Sequence, residues 1–488
     1  MRKLIALILA TLTVCVLFAS CNNVSDKSDT NNVSVEGSFE LFSNLPEKDY
    51  GNIPFTIYVE GDYLDRYKSI EVVPYEDSPS IISESVLERN ALVEQRFGVV
   101  IQEIRTADSS EMVTSVQDAI ATGGNQYDAV MAYMPNAGTL AAGGALYDLR
   151  TFENMHLDQP YWDTSAVEGL SVAGKNFFVV GDMNLLAYDC THCIVFNKDV
   201  VEEHSLEDPY QLVYDGEWTL DKLLEMAKVV SVDNGDGKTD LDDKWGFLIN
   251  NNYPTSLFIG SGEKLTEKDT DDLPIIAISG DRPVSVFNKI FNICNDDKVC
   301  RIEDYVNDYT DVYTKASESV ANKKALFRSM AVVDIQELGN YECNFGIIPT
   351  PKYDAEQEYY YSYVSVIYAS CATIPISAKD KEMSSIILEA MCQASTDTVK
   401  TSYYDTMLKY RKLQDDDGVE MLDIIFENRV FDLAAVYNWG ATNIWDANAL
   451  TTFMNTVAFS GSNTFSSSFE TISGTTQSAI DQFVSDIQ

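Results

Sequence analysis

The stretch LLAYDCTHCIVFNKD, Leu185–Asp199, decides the fold that we predict for this chain of 488 residues. It is an apolar run whose middle is interrupted by Asp189, Thr191 and His192. Polar side chains in the middle of a buried strand are unfavourable unless they meet partners there. We interpret the stretch as a strand that carries the chain from one α/β lobe into a second lobe, with its polar middle facing a ligand cleft.

The residues before this stretch alternate between strand and helix patterns. Apolar and β-branched runs predict strands at Ser69–Val73, Val99–Ile104 and Tyr127–Tyr133. Amphipathic segments lie between them and end at Gly98 and Gly123, where helix caps belong. This alternation predicts a parallel sheet covered by helices, in which ligands lie beyond the carboxyl ends of the strands.

The residues after the stretch predict a second α/β layer. A helix with Thr219 as its N-cap is followed by strands at Trp245–Ile249, Met330–Val333 and Asn344–Pro349. The β-rich run Val364–Pro375 can return the chain to the first lobe. A chain of this length exceeds one ordinary core and suits two or three domains.

The charge and the histidine content exclude several classes of function. The sequence has 76 acidic and 34 basic residues, which gives a net charge of −42. Nucleic acids and anionic lipid headgroups require clustered cations, so we expect neither as a partner. The sequence has three histidines, His156, His192 and His204, so few residues are available for histidine-dependent catalysis. The catalytic motifs G-x-S-x-G and H-E-x-x-H do not occur.

The N-terminus has the pattern of an export signal. Two basic residues precede the apolar run Leu4–Phe18, and Ala-Ser then leads to Cys21. This resembles the bacterial lipoprotein box, in which the cysteine becomes the lipidated first residue. The run is shorter than the ~20 apolar residues that a transmembrane helix needs. We therefore predict a signal peptide over residues 1–20, lipidation of Cys21 and a polar, disordered tether over residues 21–52.

The later cysteines do not form a dense framework. They are Cys190, Cys193, Cys294, Cys300, Cys343, Cys371 and Cys392. The Cys-Thr-His-Cys pattern lacks the further ligands of a haem or zinc site, and an odd, dispersed set does not predict a disulfide scaffold. Cys294 and Cys300 flank an acidic loop and could pair. We interpret the others as ordinary thiols.

The loop DNGDGKTDLDD, Asp233–Asp243, resembles a calcium-binding loop. With Gly237 at the sixth position, the ligand positions would hold Asn234, Asp236, Asp240 and Asp243. Val232 stands at the first position, where an aspartate is required. The alternative is a solvated turn between a helix and a strand. We predict that no cofactor is required, with a structural Ca²⁺ at this loop as the open alternative.

Several segments occur in the order and spacing of one protein family. They are DAVMAY with GGALYDL, VFNKD with EWTLDKLLEMAK, ALFRSMAVV (Ala325–Val333) and FGIIPTPK (Phe345–Lys352). Following a lipoprotein signal, this order resembles the type 1 extracellular solute-binding proteins of bacterial ABC importers, the maltodextrin-binding family. The resemblance covers about residues 70–450.

The resemblance implies an α/β fold of the periplasmic-binding-protein-like type II class, with two α/β lobes joined by crossing strands around a ligand cleft. It places lobe 1 at residues 53–184 and 370–428, and lobe 2 at residues 185–369 and 429–488. It implies a monomeric binding protein, not an enzyme, that captures a carbohydrate, most simply an oligosaccharide. The protein would close on its ligand and deliver it to ABC permease subunits at the outer face of the bacterial cytoplasmic membrane.

The resemblance also implies binding residues beyond the strand ends, on the crossing segment and in the late helical region. In this sequence they are Tyr75, Glu76, Tyr133, Met134, Asp189, Thr191, Asp334, Gln336, Trp439 and Trp445. Aromatic rings stack on sugar rings, and carboxylates and amides pair with hydroxyl groups. The alternative is core packing for the aromatic residues and capping for the polar ones. Asp334 and Gln336 stand where maltodextrin binders have an aromatic residue, which argues against maltodextrin itself.

Other functions stay open from the sequence alone. Abundant carboxylates permit an extracellular glycoside-acting enzyme with an acid/base pair. A surface sensor or adhesin built on the same fold is a third hypothesis. Peptides, polyamines and modified sugars are alternatives to a simple oligosaccharide as ligand. Product formation from a bound oligosaccharide would distinguish an enzyme from a binding protein.

Overall fold

The computed structural model describes residues 41–61, 65–76, 80–106, 108–308, 311–410 and 416–488, the side chains of 407–410 excepted. The predicted signal peptide, Cys21 and the first part of the tether lie outside this range. Phe42 and Leu45, in the last part of the predicted tether, are buried against lobe 1. Ordered packing therefore starts before residue 53. The described residues contain no helix long and apolar enough to cross a membrane.

The strands of the described residues belong to two main sheets and two short ribbons. In chain order they are β1 Ile53–Val59, β2 Val99–Arg105, β3 Ala129–Tyr133, β4 His192–Asn197, β5 Trp245–Ile249, β6 Thr266–Lys268, β7 Pro274–Ile276, β8 Val299–Arg301, β9 Ala325–Ala331, β10 Phe345–Ile348, β11 Ser362–Tyr363, β12 Ser370–Thr373 and β13 Arg429–Val430.

The helices cover both sheets and form most of the C-terminal region. In chain order they are α1 Ile81–Phe97, α2 Ser109–Thr122, α3 Met134–Ala142, α4 Thr164–Gly169, α5 Leu185–Asp189, α6 Lys198–Glu203, α7 Pro209–Tyr214, α8 Leu220–Val230, α9 Tyr253–Gly260, α10 Asp281–Cys294, α11 Asp311–Ala321, α12 Asp334–Leu338, α13 Lys381–Ser395, α14 Thr401–Tyr410, α15 Asp416–Glu427, α16 Leu433–Tyr437, α17 Leu450–Ala458 and α18 Phe465–Ile487. Short 3-10 turns occur at Asp65–Tyr67, Leu149–Thr151 and Ile302–Tyr305, and a π-helical turn, Thr396–Lys400, joins α13 to α14.

Lobe 1 is built on a four-stranded sheet in the order β12-β3-β1-β2. β1 is parallel to β2 and β3, and β12 is antiparallel to β3 with Ser370 opposite Tyr133. The carboxyl ends of β1 and β3 and the start of β12 therefore share one edge. The predicted return of the chain to lobe 1 within Val364–Pro375 is confirmed by β12.

The first strand of this sheet is Ile53–Val59, and the predicted strand Ser69–Val73 is wrong because that run forms bends. Pro54 is tolerated in β1 because pairing with β3 begins only at Ile57. In the bent segment Glu71 is fully buried, and the hydrogen bonds that its carboxylate accepts take the place of strand pairing.

Lobe 2 is built on a five-stranded sheet in the order β10-β4-β9-β5-β8. β5 is parallel to β8 and β9, whereas β4 is antiparallel to β9 and β10. His192, the first residue of β4, lies opposite Ala331, the last residue of β9. One edge of the sheet thus combines the ends of β5 and β9 with the start of β4.

The crossing segment is a short helix followed by a strand. Asp189 ends α5 and is not in a strand, which corrects our prediction, and β4 begins three residues later at His192. Thr191 Oγ1 donates a 3.0 Å hydrogen bond to the Ala187 carbonyl oxygen. This bond gives a partner to one of the carbonyl groups at the end of α5. The Thr191 backbone pairs with Val364, so outgoing and returning chains run antiparallel at the crossing.

The C-terminal segments contact both lobes. The short parallel pair of β11 and β13 joins Ser362 to Arg429. α15 packs against β10 of lobe 2, although residues 416–427 were predicted in lobe 1. α16 and α18 contact α3 of lobe 1, while α17 and α18 contact α10 of lobe 2.

All seven cysteines in the described range are free thiols. The suggested pairing of Cys294 with Cys300 is therefore not formed. Burial raises the pKa of both thiols, which makes them poor nucleophiles. The interpretation of the other cysteines as ordinary thiols agrees with the structure, in which Cys190, Cys193, Cys371 and Cys392 are buried and Cys343 is partly exposed.

Candidate functional site

Two neighbouring cavities lie where residues of the two lobes meet. The larger has a volume of about 310 Å³ and is lined by Arg66, Lys68, Ile70, Glu71, Tyr75, Ile82, Leu185, Leu186, Asp189, Gln336 and Tyr403. The smaller, of about 50 Å³, is lined by Tyr67, His192, Asn250, Asn252, Tyr253, Tyr313, Ser329, Met330, Ala331, Asp334, Ser365, Ile367, Tyr368 and Trp445. Most of these residues follow strands or belong to the crossing segments, as expected for an open α/β sheet.

Stacked tyrosines line the smaller cavity from the side of lobe 1. The Tyr67 ring stacks on Tyr368 with centroids 4.5 Å apart. Tyr133 meets Tyr368 edge to face at 5.5 Å. Tyr67 follows β1, and Tyr368 belongs to the segment that returns to lobe 1. The stacked rings therefore pack the segment after β1 against the crossing between the lobes.

A second aromatic surface lines the same cavity from lobe 2. The His192 imidazole lies parallel to the Tyr253 ring at 5.1 Å and perpendicular to Tyr363 at 5.6 Å. Burial lowers the pKa of His192 to about 4, so the ring is neutral near pH 7. Its Nδ1 is buried and has no hydrogen-bond partner among the described residues. A flat, neutral, polar-edged surface of this kind suits a sugar ring better than an ion.

An ion pair between the lobes separates the two cavities. Arg66, from the turn after β1, pairs with Asp334 at the start of α12 and lies 3.3 Å from Glu337 Oε2. The Arg66 guanidinium also lies over the Tyr313 ring at 3.8 Å. Arg66 lines the larger cavity and Asp334 the smaller one, so the pair forms the wall between them.

Asp334 is held on its other side by a buried arginine. Arg328 Nη2 lies 3.1 Å from Asp334 Oδ2, and both side chains are buried. Arg328 Nη1 donates a further hydrogen bond of 2.8 Å to Ser317. Asp334 was predicted to bind the ligand, and in this structure its carboxylate is occupied by two arginines.

Asp189 lies at the floor of the larger cavity. Tyr403 Oη donates a 2.7 Å hydrogen bond to Asp189 Oδ1. Burial raises the pKa of Asp189 to about 7, against the opposing effect of this hydrogen bond. The residue can therefore offer a ligand either a carboxylate or a carboxylic acid near neutral pH.

Two further buried carboxyl groups hold the backbone around the cavities in place. Glu71 Oε1 accepts hydrogen bonds from the Leu186 amide and the Ser370 hydroxyl. Glu60, after β1, accepts a 2.9 Å bond from the Tyr133 amide, and burial raises its pKa to about 8. These residues fix the ends of β1, β3 and β12 relative to the crossing helix.

Five of the ten residues predicted to bind the ligand line a cavity. Tyr75, Asp189 and Gln336 line the larger one, and Asp334 and Trp445 line the smaller one. Trp445 is 58% exposed, so its indole forms the rim. The Tyr75 ring stacks with Arg105 at 3.8 Å.

The other five lie elsewhere. Met134 is buried at the start of α3, and the Thr191 hydroxyl caps the crossing helix. Trp439 stacks on Tyr437 in the core at 5.1 Å. Tyr133 does not line either cavity but packs against Tyr368, which lines the smaller one. Glu76 is exposed and lies outside both cavities.

Sequence reasoning missed most of the aromatic and amide residues of the cavities. Asn250 and Asn252 follow β5, a strand that was predicted, so inspection of its carboxyl end would have found them. His192 was noted as a polar interruption without being assigned to the site. Arg66 and Tyr313 carry no sequence signal, because segments distant in the chain bring them together.

The acidic loop at Asp233–Asp243 is held by its own hydrogen bonds. The two Asp243 carboxylate oxygens accept bonds from the backbone amides of Asn234 and Asp240, at 2.9 and 3.0 Å. Across the described residues, no group of three or more His, Cys, Asp or Glu side chains is placed to hold a metal ion. A structural calcium ion at this loop stays a prediction.

A larger depression, of about 560 Å³, lies away from the strand ends of the two main sheets. It is bounded by residues 165–169, 262–268 and 427–431. Here Lys268 bridges the lobes, with its amino group 2.7 Å from Ser171 Oγ. Seven of its seventeen lining residues are charged, with both signs present, and its two aromatic residues, Tyr361 and Phe431, do not stack on each other. The two cavities at the strand ends, where aromatic rings cluster, are therefore the candidate ligand site.

Two α/β lobes with chain crossings between them and a cleft at their strand ends form the two-lobed fold of the periplasmic-binding-protein-like type II class, so the fold implied by the sequence resemblance is confirmed. Comparison with solved structures supports this fold. The sugar-binding protein MalE from the phytopathogen Xanthomonas citri has a TM-score of 0.60 at 13% identity, covering 89% of this chain and 98% of that one. A cyclo/maltodextrin-binding protein complexed with maltotetraose has a TM-score of 0.56 at 12% identity, covering 89% and 97%.

A third similar structure is an ABC substrate-binding protein from Listeria monocytogenes in complex with cycloalternan. Its TM-score is 0.53 at 12% identity, covering 89% of this chain and 98% of that one. No protein-family model matches the sequence, and a search of curated proteins gives no significant match. The chain thus has the fold of the sugar-binding proteins of ABC importers.

Proposed function

We propose that this protein captures an oligosaccharide between its two lobes and presents it to an ABC importer. The observation that carries the proposal is the smaller cavity, where aromatic rings from both lobes converge with amide and hydroxyl groups. Tyr368 and Trp445 offer aromatic surface for sugar rings, with the buried Tyr253 stacked behind His192, and Asn250 and Asn252 offer groups for sugar hydroxyls.

The size of the cavities suits a ligand that enters before the lobes close. The smaller cavity, at about 50 Å³, is well below the few hundred cubic ångströms of a typical small-molecule site. Together with the neighbouring cavity of about 310 Å³, a partly opened cleft would accept more than one sugar ring. This favours an oligosaccharide over a single sugar.

Attachment to the membrane and delivery to a permease are parts of the same proposal. Their support is the lipoprotein pattern ending at Cys21 and the fold shared with proteins described as ABC substrate-binding proteins. A lipid anchor at Cys21 would keep the binding protein close to the permease. Globomycin treatment of expressing cells tests the anchor, since it would leave the precursor unprocessed.

Isothermal titration calorimetry with a panel of oligosaccharides tests the capture function. The panel includes maltotetraose, cyclic glucans and oligosaccharides with other linkages. We expect binding of at least one member, with the sugar recovered unchanged by chromatography. Recovery of shortened products would instead support the glycoside-acting enzyme, and a panel without any binder would contradict carbohydrate capture.

A further inference from the structure

His192 is a polar residue in the wall of the smaller cavity whose ring nitrogens have no hydrogen-bond partner among the described residues. Tyr253 lies parallel to its imidazole at 5.1 Å, and Tyr363 is perpendicular to the ring at 5.6 Å. Only 8% of the residue is exposed. Because buried polar groups in proteins are normally hydrogen-bonded, an imidazole without any such bond beside a cavity points to a partner that occupies the cavity.

The two ring nitrogens of His192 differ in their access to the cavity. Nδ1 is fully buried and has no hydrogen-bond partner among the described residues. Nε2 also lacks such a partner but is not fully buried, and the residue lines the smaller cavity. A molecule in the cavity can therefore reach Nε2, whereas Nδ1 stays enclosed.

Burial sets the charge of the ring and indicates which nitrogen carries the hydrogen. Burial lowers the pKa of His192 to about 4, although the Asp334 carboxylate acts in the opposite direction. The imidazole is therefore neutral near pH 7, with one nitrogen as donor and the other as acceptor. Unpaired N–H groups in protein interiors are rarer than unpaired acceptors. The enclosed Nδ1 is thus the acceptor, and Nε2 carries the hydrogen that can be donated into the cavity.

Asn250 offers a second uncharged donor in the same cavity. Ser329 Oγ donates a 3.2 Å hydrogen bond to Asn250 Oδ1 and accepts a 3.0 Å bond from the Asn250 backbone amide. The side-chain oxygen of Asn250 is therefore in use, and its NH₂ group remains for a ligand. Asp334, the charged residue among those that line this cavity, is paired with two arginines. Uncharged donors of this kind suit the oxygen atoms of a sugar.

We propose that His192 is a specificity-determining residue that donates a hydrogen bond from Nε2 to an oxygen atom of a sugar unit in the smaller cavity. The proposal rests on the proposed capture function, because this cavity is part of the capture site. It adds a residue with a stated role: the ring is held in place by Tyr253, and its accessible nitrogen reads a hydroxyl or ring oxygen of the ligand.

Nitrogen-15 NMR of the ligand-free protein tests the state of the ring without any ligand. The chain has three histidines, so the signals of His192 are those missing from the His192→Phe variant. We expect a neutral ring with its hydrogen on Nε2, unchanged between pH 8 and pH 5.5, because the pKa is about 4. A ring that carries its hydrogen on Nδ1, or that is charged at pH 7, would overturn the proposal.

Calorimetry on variants tests the hydrogen bond, with maltotetraose as the first probe and then the tightest-binding oligosaccharide of the panel. His192→Phe keeps a ring against Tyr253 but has no donor, and we expect binding about fivefold to tenfold weaker than in the wild type. His192→Gln places its amide nitrogen near the position of Nε2 and should bind within about threefold of the wild type. The matched control is His204→Phe, which should bind like the wild type because His204 lines neither cavity.

A purely structural His192 gives a different pattern. Unchanged affinity in a folded His192→Phe would overturn the role of His192 and leave the capture function standing. Equal losses in the Phe and Gln variants would also overturn it, because the shape of the side chain rather than its donor would then matter. If thermal denaturation shows that His192→Phe does not fold, His192→Asn replaces it, since its shorter amide cannot reach the position of Nε2. A panel without any binder would overturn the capture function and the role of His192 with it.

Discussion

The Arg328 guanidinium lies 3.1 Å from the Asp334 carboxylate, and both side chains are buried beneath the cleft. This pair anchors the segment that connects β9 to α12. Asp334 also forms an ion pair with Arg66. A single carboxylate therefore holds both arginines at the wall between the two cavities.

Replacement of Asp334 by alanine should destabilise the protein by about 3–5 kcal/mol, because Arg328 would be left buried without its charged partner. Chemical denaturation measures the change in the free energy of unfolding. The control is Asp221→Ala, whose ion pair with Lys289 is at the surface, with the aspartate 77% exposed. We expect that control to change stability by less than about 1 kcal/mol. A similar small effect for Asp334→Ala would show that Arg328 needs no counter-charge.

Asp189 should make the stability depend on pH in a particular direction. Burial raises the pKa of its carboxyl from 3.8 to about 7, so between these values the folded state binds more protons than the unfolded state. This contribution to stability is present at low pH and is lost as pH rises through about 7. Asp189→Asn removes it, so the stability of the wild type relative to the variant should fall between pH 4 and pH 8.

Denaturation curves across that pH range, measured for both proteins, test this expectation. Glu60 and Glu71 contribute with the same sign and His192 with the opposite sign, but all three are common to both proteins. Subtraction therefore isolates Asp189 together with its electrostatic coupling to Glu71. A difference in stability that does not change with pH would mean that Asp189 titrates normally.

The two late tryptophans should differ in what their removal affects. Trp439→Ala should lower stability by about 3–5 kcal/mol, because the indole stacks on Tyr437 in the core. Trp445→Ala should leave stability within about 0.5 kcal/mol and weaken oligosaccharide binding about tenfold, since the exposed indole forms the cavity rim. Thermal denaturation and calorimetry on both variants separate the effects. Weak binding by a stable Trp439→Ala would instead place Trp439 at the ligand.

Two glycine substitutions should shift stability in opposite directions. A Cβ atom at Gly246, in β5, would lie 2.1 Å from the Ala227 carbonyl oxygen of α8, so Gly246→Ala should destabilise by about 1–3 kcal/mol or more. A Cβ atom at Gly474, inside α18, meets no heavy atom within 4 Å among the described residues. Gly474→Ala should therefore stabilise by about 0.5–1 kcal/mol. Chemical denaturation measures the free energy of unfolding of both variants, and an unchanged value for Gly246→Ala would contradict the close packing of β5 on α8.

The two-lobed architecture could be predicted because strand and helix patterns alternate on both sides of the crossing segment. The first strand was missed because Pro54 and the polar residues before it resemble a linker, whereas tertiary pairing with β2 and β3 determines its structure. The crossing stretch was located correctly, but α5 was mistaken for a strand. Five apolar-rich residues fit either pattern, and only the contacts around them decide.

The residues of the candidate site were harder to predict from the sequence than the fold was. Residues that directly follow predicted strands, such as Asp334 and Asn250, can be found from strand ends. Arg66 and Tyr313 meet only because the lobes approach each other, and no local pattern indicates that contact. Trp439 and Trp445 are separated by five residues and have opposite environments, which composition alone does not reveal.

A crystal structure with the tightest-binding oligosaccharide tests the central claim, capture between the lobes, most directly. The account predicts sugar rings against Tyr368 and Trp445, with sugar hydroxyls bonded to Asn250 and Asn252. Sugar bound outside the cleft, for instance in the charged depression near Lys268, would contradict it.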